Sequence, residues 1–558
     1  MPKTRLVLRD NHVYVSHVSE AEKILIQSLP VRYYRGGQWI VPFESAFELA
    51  AILDGRCEID PPLQKRLDLL QDVTKSKHTG LVLPEGADEL KTKSYEHQDQ
   101  FQRWGKYHTC PANLSEQGSG KSKMLLDWLT LKGCRHVLLV CRNSNVYKWA
   151  QEVKKHSDYE PFILKGTRQE RTQALQRACV FSDLSRSGSI AIINYDYVGP
   201  FLAALSACKW DGISCDESTA IKSPRTKRHK ALVKLGSRVK YRCILTGTPI
   251  LNSPEDAYGQ FRFLNPRILG QNHQGFRNRY ITYGGYSGYQ VVGYKNLPEL
   301  SAKIDRFSFR VLKKDCLDLP PKIFEPLRLE LTGSFREGYR QLVKATLLQL
   351  GDQLVDNTLA ITKLNRCLQY CAGFMYVDSS KMEFTTHKTP KYQELIDFMV
   401  DHYQSHDKLI IWAYHRAVIR TLKNELTKAF PDVLVHLGSS ELAANDRQDL
   451  IDSFNAPIKP GSKARCIILQ TTAFMHGIDL RCDTAYYYQR SFSLEEWLQS
   501  QDRIHGINRG GEKCNYIIST MADTVEWSVH QALEKKKSLA DLVIDKVNLG
   551  DLMRGEYE

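Results

Sequence analysis

This chain of 558 residues lacks the marks of several protein classes. No uninterrupted apolar run approaches the ~18 residues that a membrane span needs. The opening MPKTRLVLRDNHVYV has no apolar core of the kind a secretory signal carries, so none is expected. None of the fourteen cysteines forms a Cys-x-x-Cys pair, and the nearest two are Cys367 and Cys371. That argues against a structural zinc site and for reduced thiols in a cytosol-like compartment. Short-period repeats and low-complexity tracts are also missing, which removes solenoids and linkers from consideration. Even the one phosphate-loop signature is short of a residue. In NLSEQGSGKSKMLLDWL (113–129), Ser115 stands where Gly-x-x-x-x-Gly-Lys-Ser wants its first glycine.

What is present fits a globular protein: 42% hydrophobic and 25% charged residues. The length exceeds a single core and implies two large domains and a small one. A net charge of +14 raises the odds of a polyanionic partner.

The texture along the chain divides it. Residues 1–85 read as a small α+β unit. RLVL and VYVS alternate around RDNH, SEAEKILIQSL is a helix capped by Ser19, VRYYRGGQWIVP is a hairpin turning at Gly36-Gly37, and ESAFELAAIL is helical. From about residue 86 to 270, the runs HVLLVC, SIAIINY, DGISCDE and CILTGT alternate with helical segments, the rhythm of a parallel sheet with crossover helices. Residues 271–385 read as a mostly helical insertion and linker. From 386 to 558 strands return: KLIIWAY, VLVHLG, RCIILQT, TAYYYQ and CNYIIST. The expected class is α/β, with two parallel-sheet lobes, a helical insertion and a small N-terminal domain.

The first lobe carries the chemistry. Gly118 and Gly120, with Ser119 between them, let successive N–H groups face one point at a helix N-terminus, which suits a phosphate chain. Lys121 then reaches the outer phosphates and the Ser122 hydroxyl binds Mg2+. Asp216 and Glu217 end the apolar strand ISCDE. Asp216 is suited to hold Mg2+ through water and Glu217 to orient and deprotonate the attacking water. Thr246 and Thr248, in ILTGTP, place hydroxyls near those carboxylates. The Gln98 amide is a candidate reader of the adenine edge.

The order of these motifs resembles the ATPase core of superfamily-two helicases of the Swi/Snf type. SEQGSGKS is similar to that branch's nucleotide loop, in which the leading glycine is also absent. VLLVCRNSNVYKWAQEV (with Trp149 and Glu152), INYD, DESTAIKSPRTKR, LTGTPILN, LPPK and KLNRCLQYCAGF follow in the family's order, over roughly residues 90–540. The fourth residue of the carboxylate motif, usually His, is Thr219 here. The resemblance implies two RecA-like lobes, ATP and Mg2+ as cofactors, and DNA-stimulated ATP hydrolysis coupled to tracking on duplex DNA.

It also implies roles in the second lobe, which closes on the first in such helicases and supplies charge to the γ-phosphate. Gln499, Asp502 and Arg503 sit at i, i+3 and i+4 in SLEEWLQSQDRIHGINRGG. The chain keeps Gln499, Asp502, Arg503 and His505 of the pattern Gln-x-x-Asp-Arg-x-His-Arg-x-Gly-Gln. Gly506 stands where the second arginine is usual, and Asn508-Arg509 replace Gly-Gln. Three readings stay open: Arg503 suffices, Arg509 swings in from the next turn, or hydrolysis is slow or lost. TTAFMHGIDL resembles the coupling motif, with Gly477 and Asp479 matching and Phe474 and Met475 in place of small residues.

Sequence-blind contacts to a DNA backbone suit a stepping motor. Basic clusters available for them are KSPRTKRHK (222–230), RNRY (277–280) and RFSFRVLKK (306–314). The N-terminal unit is similar in outline to the small domain beside the motor in annealing helicases, which remodel forks, and it also reads as a cap on the first lobe. The expected role is remodelling of branched DNA in repair, recombination or replication. The alternatives are a translocating subunit of a restriction or defence system and an ATP-gated DNA-binding scaffold. A bacterial or phage-infected cytoplasm is the expected setting, or a nucleus if the source is eukaryotic.

Overall fold

The computed structural model describes residues 3–10, 12–26, 32–42, 46–53, 57–72, 83–284, 290–316, 319–348, 365–378, 383–475, 478–506 and 513–544. The chain divides into two compact units, one built on the residues up to Leu317 and one on Asp318–Lys537.

The first unit opens with a five-stranded sheet of β1 (Thr4–Arg9), β2 (His12–Ser16), β3 (Tyr33–Arg35), β4 (Gln38–Pro42) and β5 (Cys57–Ile59), in the order β3-β4-β2-β1-β5. The expected hairpins form: β1 and β2 are antiparallel with Arg9 opposite His12, and β3 and β4 close at Arg35 and Gln38. Gly36 and Gly37 both have positive φ, +59° and +79°, as a two-residue turn matching the strand twist requires. Ser19 caps the first helix, and its N–H donates to Glu22 Oε2 at 2.8 Å, closing a capping box. Leu6, Val13, Val15, Val41, Leu49 and Leu63 form the core beneath. β5, which pairs parallel with β1, has only three residues and leaves no alternation to read.

The rest of the first unit is a seven-stranded sheet of β6 (Ala112–Asn113), β7 (His136–Cys141), β8 (Glu160–Ile163), β9 (Ser189–Asn194), β10 (Gly212–Asp216), β11 (Tyr241–Leu245) and β14 (Ser308–Phe309). A hairpin of β12 (Ile281–Gly284) and β13 (Gln290–Tyr294) precedes β14. The sheet order is β14-β6-β11-β10-β7-β9-β8, with every pairing parallel. Strand period two splits the apolar residues between two cores. Leu138, Val140, Ala191, Ile193, Ile213 and Ile244 face one, and Val137, Leu139, Cys141, Ile190, Ile192 and Leu245 face the other. Both faces are covered, so β7 and β9 are buried throughout and read as unbroken apolar runs.

The second unit has its own six-stranded sheet, formed by β15 (Lys322–Leu329), β18 (Lys408–Ala413), β19 (Val433–Gly438), β20 (Ala464–Gln470), β21 (Thr484–Tyr487) and β22 (Cys514–Met521). A small hairpin, β16 (Phe374–Asp378) and β17 (Glu383–Thr386), precedes β18. The order is β15-β22-β21-β18-β20-β19, again all parallel. Two parallel-sheet lobes with a small α+β module are thus the architecture of the chain.

The segment 271–385 departs from the expected helical insertion. It gives an edge strand to each sheet, β14 to the first and β15 to the second. β14 has two residues, and β15 lies on an edge with an exposed, non-alternating pattern, so neither carries a strong sequence signal. The helix Gly333–Leu348 is present, while 349–364 lie outside the described residues.

Candidate nucleotide site

The first-lobe site residues stand at the carboxyl ends of β6, β10 and β11, where a parallel sheet presents its loops, except Gln98, which lies on the preceding helix Glu96–Gly105. After β6 the chain turns and enters the helix Lys121–Leu131. Gly118 and Gly120 adopt φ of +82° and +79°, a region where a side chain is strained. A Cβ on Gly120 would collide with the Gln98 amide. The N–H groups of Gly118, Gly120 and Ser122 make no hydrogen bond among the described residues. They sit at the positive end of a helix dipole, and Ser122 is half-buried in its first turn.

The loop's other groups are spent on holding its shape. Ser119 Oγ donates to Glu116 O at 2.8 Å, and Ser119 O is bonded by His97 Nε2 at 2.8 Å. Lys121 Nζ donates to Ser115 O (2.8 Å) and Glu116 O (2.9 Å), so its ammonium lies in the loop's concave side. Gln98 is buried, and its Oε1 accepts from Tyr95 N–H at 3.0 Å. That bond points the amide NH2 at Gly120, so the group expected to read adenine is held at the phosphate turn.

Asp216 and Glu217 follow at the end of β10. Trp149 Nε1 donates to Asp216 Oδ2 at 2.7 Å, and Tyr195 OH donates to the Asp216 carbonyl at 2.7 Å. Burial pushes the Asp216 carboxyl above the usual aspartate range, opposed by the Trp149 N–H and by the charge of Lys121. Glu217 sits in the left-handed region, φ +49° and ψ +57°, uncommon for a non-glycine residue. Gln117 Nε2 donates to Glu217 Oε1 at 3.2 Å, a direct tie between the phosphate loop and the carboxylate pair. Thr246 Oγ1 accepts from Thr248 N–H at 3.2 Å, so its observed partner is its own turn. The hydroxyls of Thr248, Ser115 and Thr219 are buried without hydrogen-bond partners among the described residues. Buried polar atoms of this kind call for an explanation, and a polar ligand in the loop is one.

A strap crosses the loop from the end of the first unit. Glu116 N–H donates to Val311 O at 3.0 Å, Lys313 N–H donates to Glu116 Oε2 at 2.7 Å, and Arg310 Nη1 donates to Leu114 O at 2.7 Å. The Lys313 side chain is buried over Gly118, its Cε 3.2 Å from where a Cβ would stand. The cluster RFSFRVLKK, expected to face a nucleic-acid backbone, thus turns Arg310 and Lys313 onto the loop. In 277–280, Arg277 pairs with Glu255 at 3.2 Å and Arg279 with Glu299 at 2.8 Å. In 222–230, His229 is buried against Gly259 O, whereas Arg225, Lys227 and Lys230 are exposed. Sequence reasoning missed the strap and the link from Gln117 to Glu217, which depend on contacts far apart along the chain.

Within the second unit, Gln499 and Arg503 come together, and Asp502 pairs with a lysine. The helix ends at Gln501, so Asp502 and Arg503 lie on the turn beyond it. Arg503 is buried: Nε donates to Gln499 O at 2.9 Å and Nη1 to Ile478 O at 2.7 Å. Asp502 pairs with Lys322 at 3.4 Å. Asp479 accepts through its carbonyl from Asn455 Nδ2 at 2.8 Å. Gly477 and Arg509 lie outside the described residues.

A family model of the SNF2-related domain matches residues 50–372, more than half of the chain. The chain belongs to the SNF2-related family. A second family model, the helicase conserved C-terminal domain, matches residues 390–508 of this SNF2-related chain. Among curated relatives it is 26% identical to "Putative ATP-dependent helicase/translocase YwqA" of Bacillus subtilis over 62% of this chain and 37% of that protein. It is 25% identical to "Protein CHROMATIN REMODELING 5" of Arabidopsis thaliana, over 74% of this chain and 24% of that protein. "Transcription regulatory protein SNF2" of Saccharomyces cerevisiae is 24% identical over 77% and 26% of the two chains. This SNF2-related chain therefore spans well under half the length of these relatives. A solved "Sulfolobus solfataricus SWI2/SNF2 ATPase core in complex with dsDNA" is 21% identical, covers 86% of this chain and 97% of that one, and has a TM-score of 0.38.

Proposed function

We propose that this chain is a DNA-dependent ATPase that tracks on duplex DNA and remodels branched structures in repair, recombination or replication. The observation that carries the ATPase reading is the meeting, in one unit, of Lys121 and the glycine turn with Asp216 and Glu217, tied by the bond from Gln117 to Glu217. Family membership supports the same class.

The residues fit a nucleoside triphosphate with Mg2+. When bound, ATP supplies the anhydride bond to be broken and Mg2+ the charge that offsets its phosphates. Backbone N–H groups of Gly118, Gly120 and Ser122 and the Lys121 ammonium would hold the phosphates. Asp216, oriented by Trp149, and Ser122 would hold the metal. Glu217 takes a proton from water at a carboxylate oxygen. The exposed Arg225, Lys227 and Lys230, just after the carboxylate motif, are suited to a DNA backbone. Free thiols throughout suit a reducing compartment, for which we propose the cytoplasm of a bacterial or phage-infected cell, or a nucleus.

One ATPase panel tests this: no DNA, single strand, duplex, fork and four-way junction, with Lys121→Ala as control. The reading predicts turnover that rises with duplex and most with branched DNA, and vanishes in the variant. Stimulation by RNA alone sinks the DNA assignment.

A second reading, a slow or ATP-gated scaffold, is favoured by one observation. Gly506 replaces the usual second arginine, and the Arg503 guanidinium is bound by carbonyls of its own unit. If Arg503→Ala leaves DNA-stimulated hydrolysis unchanged, Arg503 is not the γ-phosphate cation.

A further inference from the structure

Far from the nucleotide loop, at the opposite end of the first-unit sheet, two thiols and an imidazole meet. Cys179 lies on the helix Arg168–Leu184, and Cys208 ends the helix Leu202–Ala207. Their sulfurs are 3.2 Å apart. His136, the first residue of β7, places Nε2 3.7 Å from Cys179 Sγ. Its Nδ1 faces Lys209 O at 3.0 Å, and its ring packs on Trp210 at 4.1 Å between centroids. A carbonyl can only accept, so Nδ1 carries the proton and Nε2 is left as an acceptor aimed at the thiol.

We propose that Cys179 and Cys208 form a peroxide-reactive dithiol, with Cys179 the attacking sulfur, His136 its base and Cys208 the resolving thiol. A thiolate is the nucleophile in such chemistry, and three features favour one at Cys179. Cys208 S–H lies within donating distance, His136 Nε2 is placed to accept the thiol proton, and both cysteines are partly exposed. Of the other half-buried cysteines, Cys57 and Cys316, the second turns its thiol to the carbonyls of Leu312 and Lys313, and the remaining ten are buried. The Cys179 thiol is accordingly held below the usual range, chiefly by Cys208 and then His136, with burial and the Asp183 carboxylate opposing. Burial pushes Cys316 up to about 11 and Cys134 to about 12.

The chemistry balances. The Cys179 thiolate attacks one oxygen of a hydroperoxide; an S–O bond forms and the O–O bond breaks. The departing oxygen takes the proton held by His136, leaving Cys179 as a sulfenic acid. Cys208 sulfur then attacks Cys179 sulfur; the S–S bond forms, the S–O bond breaks, and hydroxide leaves with the Cys208 proton as water. Two thiols lose two electrons and the peroxide gains them. The sulfurs need to close from 3.2 Å to about 2.05 Å.

The test uses the full reduced chain and does not depend on ATP turnover, so it stands or falls apart from the proposed function. Peptide-resolved alkylation by iodoacetamide at pH 7 is expected to label Cys179 about tenfold or more faster than Cys57 and Cys316. Equimolar hydrogen peroxide is expected to link the peptides of Cys179 and Cys208, reversibly with dithiothreitol. Cys208→Ser is expected to stop at a dimedone-trapped sulfenic acid on Cys179. His136→Gln is expected to move the pH midpoint of Cys179 alkylation upward. Alkylation of Cys179 at the rate of Cys57 and Cys316, or peroxide consumption with no such linkage in the folded chain, overturns the proposal.

Discussion

The two parallel sheets share their layering and differ at their carboxyl ends. In the first, the turn after β6 leaves the N–H groups of Gly118, Gly120 and Ser122 without partners among the described residues. In the second, side-chain amides close two of the turns at that end. Gln489 Oε1 accepts from the N–H groups of Tyr414 (3.3 Å) and His415 (3.2 Å) after β18, and Gln470 Oε1 accepts from Ser440 N–H at 2.9 Å. Gln489 Nε2 also donates to His415 Nδ1 at 3.1 Å. Among the described residues, one edge keeps backbone donors open and the other closes two of its turns on side-chain amides. What decides it is whether the backbone donors are already spent.

Four measurements break or sharpen that contrast. The largest effect is expected from Lys121→Ala, which removes the cation from the edge with open donors. Turnover is expected to fall about a hundredfold or more, with the thermal midpoint unchanged. Loss of both together would make Lys121 a structural residue.

Next, acid acts on both units alike. Burial pushes His108 in the first and His415 in the second down to about 4, from an ordinary value near 6.5. The unfolded chain takes up protons below pH 6.5 while the folded one does not until near 4. Stability is therefore full above 6.5 and falls as pH drops from 6.5 to 4, by about 2 kcal/mol per histidine at pH 5. Urea melts at pH 7.5 and 5 check this, and a midpoint independent of pH contradicts it.

Third, Gln489→Leu strips the donors at the other edge of their acceptor. The cost is expected near 2 kcal/mol in the second unit's unfolding, read by denaturant melts. A variant as stable as the parent would show that the cap is dispensable.

The smallest effect is expected from Trp149→Phe, which keeps the ring but removes the N–H from Asp216. That N–H favours the ionised carboxylate, so its loss raises the Asp216 pKa further. Turnover at pH 7 is expected to fall about tenfold, with the acid limb moved to higher pH and a larger Mg2+ requirement. A uniform loss at every pH and Mg2+ level would point to misfolding instead.

How much of this was legible depended on locality. β7, β9, β10, β18 and β20–β22 announce themselves because a buried parallel strand is a bare apolar run. β6, β14 and β15 do not, since two residues carry no period and an exposed edge carries no pattern. The glycine turn, Lys121 and the Asp216–Glu217 pair were visible because each is a contiguous motif. The inward turn of Arg310 and Lys313 was not, because a cation reads the same whether it meets a phosphate or a carbonyl 196 residues away. Nor was the pairing of Cys179 with Cys208, which belongs to no motif and arises from two helices converging below the sheet.

The strap has a mechanical consequence. The residues that bond the rim of the glycine turn, Arg310 to Lys313, lie within a few residues of the point where the chain passes from the first unit to the second. Glu116 is gripped there twice, through its own amide and through its carboxylate. Glu116 thereby joins the glycine turn and the closing residues of the first unit into one hydrogen-bonded piece.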